Sequence, residues 1–205
     1  MNIELMSTLT PTRPRIVVQS IGAGLLLMAF FTMMWAGIAQ GGLKGSDHYI
    51  HLVICSAFSF LFIVNGIRLL LLARKYPKFT TAEHQDRGKK MGRSFGIIFG
   101  IEGVAIPLVC AILGITHHSD YILPAIALIV GLHFYPMARI FDRTIDYYLA
   151  TWTCLVALVG IYLLYNNVQP LACVMGLLGM GVSLATISYG SYMLLTARKF
   201  DLYRP

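Results

Sequence analysis

The chain reads as an all-α membrane protein, a bundle of six transmembrane helices, and three observations lead there. Hydrophobic residues make up 57 % of its 205 residues and charged residues only 12 %, about half the charge of an average soluble domain. The apolar residues gather into six runs, each long enough to cross a hydrocarbon core of about 30 Å at roughly 1.5 Å per residue. Lys and Arg fall almost wholly on alternate connections between those runs, the asymmetry that orients multi-pass proteins. Together these exclude a soluble globular domain, a secreted disulfide scaffold and a disordered chain. The apolar residues run continuously instead of alternating, which excludes transmembrane strands as well.

The first span is Ile16–Gln40, closed by Gly41-Gly42-Leu43-Lys44-Gly45-Ser46-Asp47. It exceeds the 7–15-residue apolar region of a signal peptide and is expected to stay in the mature protein. The second span is Tyr49–Leu72, the third Ser94–Ile115, the fourth Tyr121–Ile140 and the fifth Ile145–Tyr165. Asn166-Asn167-Val168-Gln169-Pro170 breaks the chain before the sixth, Leu171–Ala197. Residues 1–15 and 198–205 are then tails flanking one transmembrane domain over 16–197.

Of the 16 Lys and Arg, all but Lys44 and Arg68 fall on the tails, the 74–93 connection or the short Arg139–Arg143 turn. Both termini are therefore expected in the cytoplasm. The cytoplasmic membrane of a bacterium is the expected location. The net charge of +7 records topology and does not call for nucleic acid. Seven basic residues between Arg74 and Arg93 face only Glu83 and Asp86. Such a loop attracts anionic lipid head groups, at about 1 kcal/mol per basic residue near the surface, or serves only to orient its helices.

Spans two, four and six leave the membrane through related tetrapeptides, Ala73-Arg74-Lys75-Tyr76, Ala138-Arg139-Ile140-Phe141 and Ala197-Arg198-Lys199-Phe200. This register suggests three repeated helical hairpins; convergence on an Arg-plus-aromatic interface anchor is the alternative. Six residues before each exit Arg stand Arg68, His133 and Tyr192, and Asn65 and Tyr189 lie one turn deeper.

Glu102 is the most informative residue. It sits between Gly100 and Gly103 in an otherwise apolar span, where an ionised carboxylate costs at least about 2.5 kcal/mol on insertion scales. It must be protonated or face a partner inside the bundle, and Arg68 and His133 are the candidates at its depth. Asn65, Tyr189 and Tyr192 complete a candidate binding or proton-relay set. Pro107 and Pro136 each remove a backbone donor near these residues and are expected to kink their helices.

The stretch Gly131-Leu132-His133-Phe134-Tyr135-Pro136-Met137-Ala138-Arg139, followed by Phe141, resembles a Gly-Leu-His-Phe-x-Pro motif of a family of small bacterial integral membrane proteins that carry a domain of unknown function. The resemblance covers about residues 129–141 and the span after them. It implies a multi-span bacterial protein and brings no activity with it.

On the opposite face, His48 and His51 begin the second span, near Asp47, while His117, His118 and Asp120 occupy the next outer loop. Imidazoles and carboxylates there suit Zn²⁺ or Cu²⁺, although solvated loops hold the same residue types and no compact ligand motif occurs. Cys55, Cys110, Cys154 and Cys173 all fall within spans and read as small apolar fillers. Asp142 and Asp146 flank Arg143, where salt bridges with Arg139 and Arg143 are favoured over a Mg²⁺ site for lipid-phosphate chemistry. Gly37/Gly41, Gly96/Gly100 and Gly176, Gly179 and Gly181 mark faces where helices approach closely, within the bundle or in a homo-oligomer. Trp35, Tyr49, Tyr121 and Tyr165 read as interface anchors.

The reading favoured by these residues is a small transporter or permease-like protein in which Glu102 and His133 bind or relay a proton or cation. A non-transporting scaffold or sensor that binds lipid or a partner helix comes second. A membrane-embedded enzyme comes third, since no phosphate loop, nucleophile elbow or zinc-binding helix motif occurs. No cofactor is called for.

Overall fold

The computed structural model describes residues 15–44, 46–47, 49–76 and 82–199; the side chains of residues 82–84 and 87 lie outside that description. Both tails fall largely outside it. Among the described residues every regular element is helical: α1 (Arg15–Leu43), α2 (Ile50–Leu72), α3 (Ala82–Ile115), α4 (Ile122–Phe141), α5 (Thr144–Tyr165) and α6 (Leu171–Lys199). All six are long and apolar enough to cross a membrane. Backbone groups in lipid have no water to bond, so each span must satisfy its own, and a helix does so internally.

The spans sit where hydropathy places them, with one difference. α3 begins at Ala82, twelve residues before the expected start at Ser94, and its membrane-capable part begins at Gly88. Residues 82–93 carry many good helix formers (Ala, Glu, Gln, Arg, Lys, Met) and no proline, so the helix extends through the charged segment. Much of the basic connection is therefore helical; Arg74, Lys75, Lys89, Lys90 and Arg93 are exposed, and Lys78 and the Arg87 side chain lie outside the described residues.

Packing order differs from sequence order. α1 is the central helix, seated on α6 along one side and on α2 along another; α5 follows on α6, α4 on α5, and α3 on α4. Of the most extensive contacts, α1 with α2 lies within an expected hairpin, while α1 with α6 and α4 with α5 run across hairpin boundaries. Close approach comes from small residues. A Cβ on Gly179 would strike the backbone of Ala39, one on Gly42 the backbone of Gly176 and Ala172, and one on Gly190 the Phe62 ring. Gly22 and Gly66 face each other across α1 and α2. Buried polar clips pin the same contacts: the Thr32 and Thr186 hydroxyls lie 2.8 Å apart, and Ser59 donates to the Ala29 carbonyl at 3.1 Å.

Two apolar cores result. Val18, Leu25, Phe62, Leu69 and Met193 fill the end of the bundle where α1 begins and α6 finishes, here the terminal end; Trp35, Ala127, Ala157, Val174 and Leu178 fill the other half. Trp35, expected as an interface anchor, is 1 % exposed and belongs to that second core.

α3 stands apart. Its membrane-capable segment has no buried residue, and Gly88, Gly92, Gly96, Gly100, Gly103 and Gly114 have nothing within 4 Å of where a side chain would begin. Ile97, Ile101, Val104, Leu108 and Ile112 are all more than half exposed, which gives α3 a face suited to lipid.

Candidate functional site

The packing order α2–α1–α6–α5–α4–α3 is an arc that does not close. α1 and α3 do not pack along their length, yet both line one cavity of about 840 Å³, together with α4, α5 and α6. That volume lies within the range of small-molecule sites, roughly 300–1,000 Å³. The walls are mostly apolar and rich in Met and aromatic side chains, from Trp35 at one end to Phe141 and Arg143 at the terminal end.

Glu102 projects from α3 onto the wall of this cavity, and His133 from α4 meets it there. Glu102 Oε2 lies 3.5 Å from His133 Nδ1, with the side chains 13 % and 11 % exposed. That separation is an ion-pair contact and too long for a good hydrogen bond; neither atom has a hydrogen-bond partner. A carboxyl and an imidazole so placed have electrostatic coupling in reserve and an open coordination position each.

A chain of ring contacts surrounds the terminal half of the cavity. Phe141 meets Phe95 (6.2 Å between centroids), Phe95 meets Phe99 (4.3 Å), and Phe99 meets His133 (5.5 Å). His133 stacks on Phe134 at 4.3 Å, and Phe134 meets Tyr189 edge-on at 5.8 Å. Arg143 completes the circuit. Its guanidinium donates to the Tyr189 hydroxyl at 3.2 Å and lies 4.9 Å above the Phe141 ring.

Local backbone geometry aims that arginine. α4 ends with Asp142 in the left-handed region (φ 52°), a conformation that Asp tolerates better than most residues, and the Arg143 N–H returns to the Ala138 carbonyl at 3.1 Å. The reversal carries Arg143 back over the α4 terminus as α5 begins. Asp146, in the first turn of α5, is fully buried. Neither of its oxygens has a hydrogen-bond partner, and Arg143 and Tyr189 act on it electrostatically. The positive end of the α5 dipole favours a carboxylate at that position.

The structure thus brings together Glu102, His133 and Tyr189 and leaves the other expected members elsewhere. Arg68, expected as a partner for Glu102, is exposed on α2, which among the described residues packs chiefly on α1 and α6. Asn65 on the same helix donates to the Leu61 carbonyl at 2.8 Å. Tyr192 packs against the terminal core beside the cavity. The helices run on through Pro107 and Pro136, and neither ring lines the cavity. Asp142 and Asp146 form no ion pair with Arg143 among the described residues, because Tyr189 and Phe141 occupy it. Of the aromatic circuit, sequence reasoning reaches Phe134 and Phe141 only as part of the 131–141 motif and an exit tetrapeptide, and misses Phe95 and Phe99, whose i, i+4 spacing is their one signal.

The outer histidines do not converge. His51 Nε2 lies 3.0 Å from Ser183 Oγ and 3.5 Å from Cys55 Sγ, turned into the contact of α2 with α6. His117 and His118 are exposed in the other loop, and His48 lies outside the described residues. Among the described residues no three His, Cys, Asp or Glu side chains gather as a metal site would need. Asp47 has a structural task there. Its oxygens accept from the Tyr49 and His51 N–H groups, both at 3.1 Å, capping the start of α2. Slight desolvation works against its ionisation, but those donors outweigh it and hold the carboxyl below its ordinary value.

Comparison of the chain with protein-family models, with curated proteins and with solved structures finds no match.

Proposed function

We propose that this membrane protein is a small transporter whose solute occupies the cavity between α1 and α3 and exchanges with a proton held by Glu102 and His133. The observation that carries the reading is the 3.5 Å approach of a carboxyl and an imidazole on the wall of a mostly apolar cavity. Ionisable groups at membrane depth are costly and are kept mainly where they bind or relay. A carboxyl and an imidazole in contact hold one proton in either of two places, and the charge presented to the cavity changes with it. The charge pattern of the connections supports placing the terminal end, with Arg143 and Tyr189, towards the cytoplasm.

The test uses protein reconstituted in liposomes loaded with a pH-sensitive dye. Amphipathic solutes of cationic, neutral and anionic kinds are added in turn, and solute-evoked proton movement is recorded. At least one class is expected to evoke movement that Glu102→Gln abolishes and that Val104→Leu, on the lipid face, leaves intact. No evoked movement with any class contradicts the reading. The scaffold reading draws on the uncovered Gly96 and Gly100 face of α3; a specific partner lost in Gly96→Leu, without flux in the wild type, would favour it.

A further inference from the structure

We infer that the cavity is a binding site for a lipophilic organic cation, an ammonium or phosphonium centre carried on an apolar body. This rests on the carrier reading of the same cavity for its role in transport, and on the geometry of the walls for its chemistry.

Three features of the walls select a cation. First, the charges are unbalanced once the proton shared by Glu102 and His133 has left. Among the described side chains the cavity is lined by two carboxylates, Glu102 and Asp142, against one guanidinium, Arg143, with the His133 imidazole beside Glu102. This excess of acid lines the interior of a chain whose net charge is +7. Second, that guanidinium is engaged by the Tyr189 hydroxyl and the Phe141 face, whereas the buried Glu102 Oε2 has His133 Nδ1 at 3.5 Å and no hydrogen-bond partner. An anion entering here would have to displace existing contacts and approach a carboxylate; a cation is drawn to that carboxylate.

Third, the rings of Phe95, Phe99, Phe134 and Tyr189 line the same space, linked through contacts with one another and with His133. Aromatic faces attract cations whose hydration is weak, and they attract them most where water is excluded. A small hydrated ion would lose its shell in a cavity with few polar groups to replace it. An organic cation with apolar substituents loses little hydration and buries those substituents against the adaptable Met side chains of the wall.

The probes are tetraphenylphosphonium and tetraphenylborate, ions of nearly the same size and shape and of opposite charge. Binding to the purified full-length chain in detergent is measured by equilibrium dialysis, after size exclusion has confirmed that each variant elutes as the wild type does. Tetraphenylphosphonium is expected to bind saturably, about tenfold or more weakly in Glu102→Gln and about threefold more weakly in Phe99→Leu and in Phe134→Leu. Tetraphenylborate is expected to show no dependence on Glu102. If Glu102→Gln does not fold, the two Phe variants and competition between the probes decide the matter. Equal displacement by the two ions, or phosphonium binding unchanged in the Phe variants, would overturn the inference. Proton movement evoked only by neutral or anionic solutes would overturn it while leaving the carrier reading in place. Glu102-dependent phosphonium binding without evoked proton movement would uphold it and remove the carrier reading.

Discussion

Gly42 of α1 and Gly179 of α6 have the same chemistry as the glycines of α3 and opposite surroundings. Gly42 and Gly179 stand where another helix's backbone already occupies the space a side chain would need, and Gly96 and Gly100 meet nothing. Without a hydrophobic drive between helices in lipid, the first group brings backbones into van der Waals contact and lets Thr32 and Thr186 bond across the seam. The second group lies on a helix whose main neighbour among the described residues is α4, and which lines the cavity. One side of the molecule is thus a tightly packed frame of α1, α2 and α6, and the other is a lightly held helix that carries the one acid among its apolar residues. A site that must admit and release a solute belongs on the second side, where few contacts need to be broken.

Substitution at the glycines breaks this comparison most sharply. Gly179→Val and Gly42→Leu are expected to cost at least about 3 kcal/mol, because backbone cannot move aside as a flexible side chain does. In practice little monodisperse protein should be recovered on size exclusion. Gly96→Leu and Gly100→Leu should be recovered at wild-type yield with an unchanged melting temperature. If the two pairs behave alike, the distinction between frame and open side fails. A change in mass for the α3 variants alone would show that a second copy covers that face.

At the cavity mouth, Tyr189→Phe removes the acceptor of the Arg143 bond and is expected to lower stability by about 1–3 kcal/mol, as for a hydrogen bond to a charged group. Thermal or denaturant unfolding in detergent measures it; a neutral result would mean that Arg143 is not held there. Within the frame, a double-mutant cycle of Thr32→Val and Thr186→Val should give a coupling of about 0.6 kcal/mol, the usual size for such bonds between membrane helices. Zero coupling would remove that clip from the account.

How much of this was legible beforehand follows from physical range. Hydropathy acts over some 20 residues along one helix, so the six spans could be read directly. The start of α3 could not, because charge hides a helix from a hydropathy scan although propensity favours it at Glu83–Met91. Glu102 was legible as a lone acid among apolar residues. Its partner was not, because Arg68 and His133 lie at similar depth and only the packing order of the helices chooses between them. Asp146 looked like a surface partner for Arg143; the turn at Asp142 instead sends Arg143 to Tyr189 and leaves the acid buried. The aromatic circuit joins three helices and a turn, and no spacing along one segment encodes it.

The smallest expected effect lies at the end of the bundle opposite the termini. Asp47 has a folded-state pKa below its ordinary value of 3.8, so its capping contribution is present above that value and fades as pH falls through the lower folded one. Melting curves from about pH 5 downward should show a slightly shallower loss of stability in Asp47→Asn than in the wild type. Identical slopes would mean that the carboxylate does not hold the start of α2.

The central claim is that the carboxyl and imidazole on the cavity wall act as a unit. The most direct measurement is the initial rate of solute-evoked proton movement, at equal protein per liposome, in the wild type, Glu102→Gln, His133→Gln and the double variant. The expected result is that each single change brings the rate close to that of protein-free liposomes and that the double variant is no worse than either. Single variants that keep the wild-type rate, or losses that multiply as for independent groups, would contradict it.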